Sequence, residues 1–380
     1  MPVDEQHRWP CQQCGAELRY APGQTALKCD HCGYEQVIKT GASGTFQEHP
    51  LANGLANDLP PAASADIRST HCPNCGAIVE FQGASHATEC PFCASPVVVD
   101  TGTQRRIKPQ AVVPFAYDEP AARKALIGWL GSLWFAPNRL LEYTRAGRAM
   151  TGIYVPYWTF DAATHSRYRG AKGVHYYETR TVTVNVNGRN EQRQEQVRRT
   201  QWYPAAGQVA RDFDDVLVIA STSLTTDLAE DLAPWDLSQL QGYSADFLAG
   251  FQAEGYTVAL SDGHQVSRGK MVQVIANDVR RDIGGDEQRI DQIDSDFQAE
   301  TFKHVLLPVW MAAYKYGGKT YRFMVNGQTG EVQGERPYSA WKIAFAVVGA
   351  VILVAAAAYV YDPSIYGLQR PAWLPDFTKR

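Results

Sequence analysis

The chain has no cysteine after Cys93, and its opening residues, MPVDEQHRWP, contain no apolar run of the kind found in secretory signals. Disulfide frameworks are typical of exported chains. We therefore expect reduced thiols, a cytoplasmic location for the cysteines, and no disulfide-stapled fold. The net charge of −4 gives no indication of a polyanionic partner.

Motifs for enzymatic catalysis are also missing. The sequence has neither G-x-S-x-G nor H-E-x-x-H. Gly317-Gly-Lys-Thr320 resembles half of a phosphate-binding loop, but the full motif requires glycine at the position of Ala313. A hairpin turn explains these residues better. We expect a protein that is not an enzyme and binds no nucleotide.

The eight cysteines that are present all lie in C-x2-C pairs. The pairs form two quartets, and within each quartet fourteen residues separate the two pairs. The second quartet has the same spacing as the first and begins 61 residues after it. Zn²⁺ prefers four thiolates in a tetrahedron, and this spacing allows a β-hairpin to bring two pairs together. The sequence predicts two zinc ribbons with one structural Zn²⁺ each, held by Cys11, Cys14, Cys29 and Cys32 and by Cys72, Cys75, Cys90 and Cys93.

Glycine follows three of the four pairs, at Gly15, Gly33 and Gly76, whereas Ala94 follows the last. Glycine permits the turn that aims backbone N–H groups at the sulfur atoms. A thioredoxin-like redox pair is disfavoured, because such a pair normally stands alone. The nearby histidines are expected at the surface, since four sulfurs complete each site; they are His31, His71 and His86.

The charge around the cysteines indicates which partners the ribbons prefer. Residues 1–39 have four basic and five acidic side chains, and residues 70–100 have no lysine or arginine at all. Nucleic-acid binding depends on clustered positive charge. Nucleic acid is therefore disfavoured as a partner, and cytosolic or membrane-associated proteins are favoured.

Residues 343–361, IAFAVVGAVILVAAAAYVY, form a run of nineteen residues without a charge. As a helix this run would be about 28 Å long, close to the thickness of the hydrocarbon core of a bilayer. The alternative is a buried core helix. We expect a transmembrane helix over 343–361, a single-pass protein of the cytoplasmic membrane with its N-terminal bulk in the cytoplasm, and an extracytoplasmic tail over 362–380.

The predicted fold is two small β-rich zinc ribbons followed by an α+β domain and one C-terminal transmembrane helix. Residues 1–39 and 71–100 are the ribbons, and 40–70, rich in Ala, Gly, Pro and Ser, is predicted to be a flexible linker. Within the α+β domain, residues 105–340, the pattern predicts helices over 119–133, 246–254 and 262–282, and β-hairpins turning at Asn187–Gly188 and near Gly317.

Two segments of this domain resemble each other. Tyr154-Val-Pro-Tyr-Trp158 is similar to Leu306-Leu-Pro-Val-Trp310, and each is preceded by a helical pattern and followed by a hairpin. We expect a duplicated helix–strand–hairpin unit. Chance similarity between short apolar strands is the alternative.

Several longer motifs resemble a known family over nearly the whole chain. They are PYWTFDA, FDDVLVIAS, LAPWDL, YSADFLAGFQAEGY, DIGGDEQRI, FKHVLLPVW and VNGQTGEVQGERPYS. Behind paired C-x-x-C quartets, these motifs are similar to a bacterial family of membrane-anchored double zinc-ribbon proteins, often labelled primosomal protein N′ (replication factor Y)/superfamily II helicase, or TFIIB-type zinc-ribbon protein. The resemblance implies an accessory role at the cytoplasmic membrane, including membrane-stress systems, and carries over only the eight zinc ligands.

Taken together, the sequence predicts a non-enzymatic adaptor that presents zinc ribbons to protein partners. The first alternative is a DNA-associated replication or repair accessory factor, which salt-dependent DNA binding would favour. The second is a hydrolase in the middle domain, which a pocket with convergent titratable groups would favour.

Overall fold

The computed structural model describes residues 9–38, 48–60, 64–72, 74–80, 87–90, 92, 96–98, 103–133, 150–186, 189–316, 319–335 and 340–361. The first part of the chain forms β1 Leu18–Tyr20, β2 Ala26–Cys29, β3 Glu35–Val37, β4 His49–Pro50, α1 Leu51–Leu55, β5 Ser64–His71, β6 Ile78–Glu80, β7 Ala87–Glu89, β8 Pro96–Val98 and β9 Thr103–Ile107. The second part forms β10 Ala111–Val112, α2 Glu119–Ser132, β11 Thr151–Val186, β12 Arg189–Ile219, α3 Thr226–Asp231, β13 Gln241–Gly242, β14 Gln252–Ala253, α4 Leu260–Ile283, β15 Glu287–Tyr316, β16 Lys319–Asn326, β17 Val332–Gly334 and α5 Ala340–Tyr361.

Three long antiparallel strands dominate the structure. β12, β11 and β15 have 31, 36 and 30 residues and lie in that order in a nine-stranded sheet. β15 begins at Glu287, opposite Gly173 of β11. Beyond that point β11 and β12 continue with no third strand among the described residues, and we call this two-stranded segment, residues 174–186 and 189–201, the arm.

α4 covers one face of the three long strands. Its buried residues recur at helical spacing, as expected for a helix that packs one stripe against a sheet: Leu260, Gly263, Ser267, Met271, Ile275, Val279 and Ile283. On the sheet side, Tyr168 and Phe297 contact the C-terminal half of this stripe. Gly170 is required here, because a Cβ at this position would lie 2.2 Å from the carbonyl oxygen of Arg289.

The two similar segments noted in the sequence meet at the centre of the sheet, where β11 and β15 are adjacent. The central cross-strand pairs are Tyr154–Pro308, Val155–Leu307 and Pro156–Leu306. A twofold rotation that exchanges the two segments maps these pairs onto one another. A local twofold axis therefore passes through the middle pair. β10 pairs in parallel with β15, and β14 pairs in parallel with β11 at the equivalent residues.

Hydrogen bonds around this axis occur in matched pairs. Val113 donates its backbone N–H to Leu306 O at 2.9 Å, and Glu254 donates to Tyr154 O at 3.0 Å. Ala220 N–H donates to Pro156 O at 3.0 Å, and the matching bond runs from Gly327 to Pro308 at 2.8 Å. The local axis therefore relates the backbone pairing of two units, β10–α2–β11–β12 and β14–α4–β15–β16.

The ribbons are docked on this domain. In the first ribbon, the backbone N–H groups of Tyr20 and Gly23 donate to Ala249 O at 2.9 Å and Phe115 O at 2.8 Å. Against the second ribbon, Gly255 N–H donates to Ile78 O at 3.2 Å. These backbone bonds hold both ribbons against the domain, whereas the flexible linker predicted over 40–70 would let the ribbons move independently.

The predicted linker, residues 40–70, also contains ordered contacts in its described part. β4 pairs with β15 at Thr301 and Phe302. α1 lies so close to the sheet that a Cβ on Gly54 would meet the ring of Phe302 at 2.4 Å. A composition rich in small residues predicted flexibility, whereas here small residues permit close packing.

The predicted α+β class for residues 105–340 is wrong, because the structure is mostly β-sheet. Helices α2 and α4 agree with the sequence pattern, but the helix predicted over 246–254 does not form. Only Ala245–Leu248 is helical, as a 3₁₀ turn that begins after Ser244, and the chain then extends into β14. Gly250, with φ of 84°, separates the two conformations.

The predicted transmembrane helix over 343–361 is contradicted. α5 is apolar and exposed in its described part, for example at Leu353, which is 72% exposed. Yet among the residues that the structure describes, no helix combines the length and the apolarity needed to cross a membrane. The expected bilayer partner and single-pass location in the cytoplasmic membrane lose their support, and the predicted tail over 362–380 lies outside the described residues.

Candidate metal centres

The first cysteine quartet forms a compact sulfur cluster. Cys11, Cys14, Cys29 and Cys32 place their Sγ atoms within 4.8 Å of one another. The Cys11–Cys32 and Cys14–Cys29 sulfurs are 3.5 and 3.6 Å apart. Four sulfurs in a tetrahedron about 2.3 Å from a Zn²⁺ ion would be separated by ~3.8 Å. The observed spacing and the all-sulfur donor set therefore fit a tetrahedral metal ion.

Local backbone geometry explains how each pair is presented. Gly15 and Gly33 have φ of 76° and 74°, in the left-handed region that glycine adopts without strain. Their N–H groups donate back to Cys11 O at 2.8 Å and Cys29 O at 2.9 Å, which closes each turn. Gln13 N–H also donates to the sulfur of Cys11 at 3.4 Å.

The thiols of this cluster differ in acidity. Burial raises the pKa of Cys11, but the backbone N–H groups of Cys14 and Gln13 outweigh it and lower the pKa to about 7. For Cys32 the backbone N–H of Tyr34 lowers the pKa, whereas burial and the nearby sulfurs raise it to about 12. Neighbouring thiolates disfavour a further negative charge. A divalent cation would compensate this charge and hold all four sulfurs as thiolates.

The second quartet forms a similar cluster in its described part. Cys72, Cys75 and Cys90 lie within the same 4.8 Å limit, and the sulfurs of Cys75 and Cys90 are 3.6 Å apart. Gly76 repeats the turn of the first ribbon, with φ of 76° and its N–H donating to Cys72 O. Cys93, predicted as the fourth ligand, lies outside the described residues.

Each cluster has one side in the core of the domain. Cys11 and Cys29 are buried in a core that includes Phe115 and Phe247, and Cys72 and Cys90 are buried in a core that includes Tyr157. Cys14 and Cys32 are exposed. His31 and His71, for which the sequence predicted surface positions, are both exposed.

A third group of candidate metal ligands was not singled out from the sequence. Asp161, Asp214 and Asp215 bring carboxylate oxygens within 4.8 Å of one another. A lysine provides positive charge here: the Nζ of Lys303 is 2.7 Å from Asp215 Oδ1 and 3.6 Å from Asp161 Oδ2. It is also 2.9 Å from Glu48 Oε1. The adjacent Asp214–Asp215 was visible in the sequence, but the register that brings Lys303 to it was not.

Burial and the neighbouring carboxylates have opposite effects on the pKa of Lys303. Burial alone would lower the pKa of Lys303, but the carboxylates of Asp215 and Glu48 outweigh it and raise the pKa above its usual value. Burial raises the pKa of Asp161. The group is an ion network that ties the residue before β4 to β11, β12 and β15.

Comparison with known proteins gives one relative of unassigned activity. The chain is 24% identical over 339 residues to the uncharacterized protein YdjG of Bacillus subtilis (strain 168), which covers 88% of this chain and 92% of that protein. No family model matches the chain. No solved structure matches it either. No family match therefore supports the replication-helicase label that accompanies the resemblance noted in the sequence. The comparisons support a distant bacterial relative, and the cysteine clusters of this chain fit sites of zinc-ribbon type.

Proposed function

We propose that the chain is a non-enzymatic scaffold in which two structural Zn²⁺ ions hold ribbons that are presented to protein partners. The observation that carries the proposal is the first sulfur cluster, with four thiols at spacings of 3.5 and 3.6 Å and one side open to solvent. Structural zinc sites are closed by four protein ligands and leave no position for a substrate. Such a site contributes folding free energy rather than chemistry.

The docking of the ribbons supports a presenting role. Backbone hydrogen bonds hold the first ribbon to the domain, so its outer surface has a fixed orientation. Val37, on β3 of this ribbon, is 74% exposed. Around it the ribbon carries the paired charges Arg19–Asp30 and Lys28–Glu35. An apolar spot bordered by balanced charge fits a protein partner better than a phosphate backbone.

The proposal is tested by crosslinking and affinity purification of the full chain from its native cells. Val37→Glu is compared with Gln36→Glu, which adds the same charge to the neighbouring residue on the opposite face of the strand. We expect Val37→Glu to lose partner proteins that wild type and Gln36→Glu retain, with two zinc equivalents in all three. Identical partner sets in the three proteins would contradict presentation by this ribbon.

A further inference from the structure

β12 is an open edge of the nine-stranded sheet. Among the described strands it pairs only with β11, along its full length from Arg189 to Ile219. The row of N–H and C=O groups on its other side is therefore available to another strand. Open edges of this kind pair readily with a further chain unless they are short, bulged or covered.

The arm is the part of this edge that the fold supports least. Gln192, Arg193 and Gln194 are exposed, and in the part of the chain that the structure describes β11 is the one strand paired with them. Two-stranded ribbons have marginal stability in water, whereas three or more strands with a shared face are stable. A strand added to β12 would turn the arm into a larger sheet.

The sequence of β12 in the arm identifies the strand that fits. Four residues alternate in charge at every second position, Arg189, Glu191, Arg193 and Glu195. Residues at this spacing lie on one face of a strand. Read in the opposite direction, the series becomes Glu, Arg, Glu, Arg. An antiparallel second copy, centred on Gln192, therefore places every arginine opposite a glutamate.

The pairing is specific to this register. In it, Arg189 faces Glu195 of the second copy and Glu191 faces Arg193, while Gln192 faces its own equivalent. A shift of two residues in either direction places arginine opposite arginine and glutamate opposite glutamate. A shift of one residue would pair residues from opposite faces. Opposite charges across strands stabilise a sheet and like charges destabilise it.

We propose that two copies of the chain associate through the outer edge of β12, with their arms antiparallel about a twofold axis at Gln192. Such an interface is isologous, because the same surface of each copy meets itself. It joins β11 and β12 of both copies into a four-stranded sheet. In this register the charged positions of the two copies alternate in sign along the contact.

Charge exchange tests the register directly. Arg193→Glu places a glutamate opposite Glu191 of the second copy on both sides of the axis, and we expect the dimer dissociation constant to rise at least tenfold in sedimentation velocity of the full chain. Glu191→Arg combined with Arg193→Glu restores opposite charges in the same register, so this double variant is expected to dimerise like wild type. Arg167→Glu, exposed on β11 away from the arm, is the charge-matched control.

Association by other surfaces gives a different result. Self-association through the exposed apolar side chains of α5 would be the same in all four proteins, and this outcome would overturn the proposal. A wild-type chain that is monomeric at ~100 µM would overturn it as well, as would a double variant that is no better than Arg193→Glu.

The axis can be located by a single cysteine. Gln192→Cys places two thiols opposite each other across the axis, at the Cα separation of about 4.5–5.5 Å found between facing residues and suited to a disulfide. Mild oxidation is expected to give a covalent dimer. Gln196→Cys, exposed on the same strand but not opposite its own equivalent, is expected to remain uncrosslinked. Equal crosslinking of the two variants would place the contact elsewhere.

Discussion

Trp158 and Trp310 make the same hydrogen bond in the two halves of the domain. The indole N–H of Trp158 donates to the backbone oxygen of Val258 at 3.0 Å, and that of Trp310 donates to Tyr117 at 2.8 Å. Each accepting residue lies just after the short strand that opens its unit. Each indole therefore ties the long strand of one unit to the segment that follows the short strand of the other unit.

Other equivalent positions have diverged. Val113 in the first unit corresponds to Glu254 in the second, and both are buried. Glu254 accepts hydrogen bonds from the hydroxyl groups of Ser221, at 2.7 Å, and of Ser223. A buried carboxylate is tolerated only with such donors. The second unit thus has a polar network where the first has an apolar side chain, although the backbone pairing is the same.

Because the two indoles have equivalent roles, Trp158→Phe and Trp310→Phe are expected to destabilise the chain by similar amounts. Each change leaves an enclosed carbonyl oxygen without its donor, which costs about 1–3 kcal/mol. Chemical denaturation followed by circular dichroism measures the difference in unfolding free energy. Trp202→Phe, at an exposed site of β12 just outside the arm, is the control and is expected to change stability by less than ~0.5 kcal/mol. A large loss of unfolding free energy for only one of these two variants would mean that the two indole hydrogen bonds share a geometry but do not contribute equally to stability.

The ion network around Lys303 gives a prediction that depends on pH. Lys303→Met removes the cation and leaves Asp161 and Asp215 close together, so the unfolding free energy at pH 7 is expected to fall by about 3–5 kcal/mol. Burial raises the pKa of Asp161 in the folded chain. A carboxyl group with a raised pKa favours the folded state more as pH falls through that pKa. The loss in Lys303→Met should therefore shrink between pH 7 and pH 4.

A matched variant separates charge from shape in this network. Asp215→Asn combined with Lys303→Met removes one negative charge together with the cation, and it is expected to recover part of the stability at pH 7. In wild type, Glu48 responds to acidification in the opposite way from Asp161: burial raises its pKa, but Lys303 and Thr301 outweigh burial and hold the pKa below its usual value. Its stabilising contribution is present above the pKa of the unfolded chain and is lost as pH falls through the folded pKa. An equal loss for Lys303→Met at both pH values would show that packing, not charge, is responsible.

Local signals in the sequence predicted local structure well. The helix expected over 119–133 is observed at Glu119–Ser132, where Asp118 accepts a hydrogen bond from Ala121 N–H as the N-terminal cap. The hairpin near Gly317 is observed too, with Tyr316 opposite Lys319. In both places the determining interactions lie within a few residues of one another.

Strand lengths and contacts between residues far apart in the sequence could not be predicted in the same way. The length of β11 is set by pairing with β12 and β15, and strict alternation of polar and apolar residues occurs only in its last part, near Val182. Lys303 meets Asp215 only because β11 and β12 are shifted by a bulge at Phe160. A one-residue change of register would separate them, and no local pattern fixes that register.

Metal content is expected to be two zinc equivalents per chain, one for each quartet. Cys72→Ser should lower the content to one, whereas His71→Ser, at the neighbouring exposed residue, should leave it at two. Because Cys72 is buried in the same core as Tyr157 and Ile219, its loss is also expected to lower the unfolding midpoint of the sheet. Elemental mass spectrometry and denaturation on the same samples measure both effects. One equivalent in wild type, or iron in place of zinc, would contradict the assignment.

We expect no ATPase or helicase activity and no tight DNA binding at physiological salt. ATP hydrolysis requires a loop of backbone N–H groups around the phosphates, a lysine and a Mg²⁺ ligand. Ala313, where such a loop needs glycine, lies in β15 opposite Arg322 of β16, within a regular antiparallel ladder that cannot wrap a phosphate.

DNA affinity depends on the number of phosphates that cations neutralise. Residues 70–100 contain no lysine or arginine, and in the first ribbon Arg19 and Lys28 are already paired with Asp30 and Glu35. On the arm, Arg199 is paired with Glu178 at 3.3 Å. The full chain can be titrated with labelled single-stranded and double-stranded DNA at ~0.15 M salt, where we expect dissociation constants above the micromolar range. Arg193→Glu and Arg198→Glu extend the measurement to the arm. Sub-micromolar binding that weakens steeply with salt, and that either variant reduces, would favour a DNA-associated accessory factor over the protein scaffold.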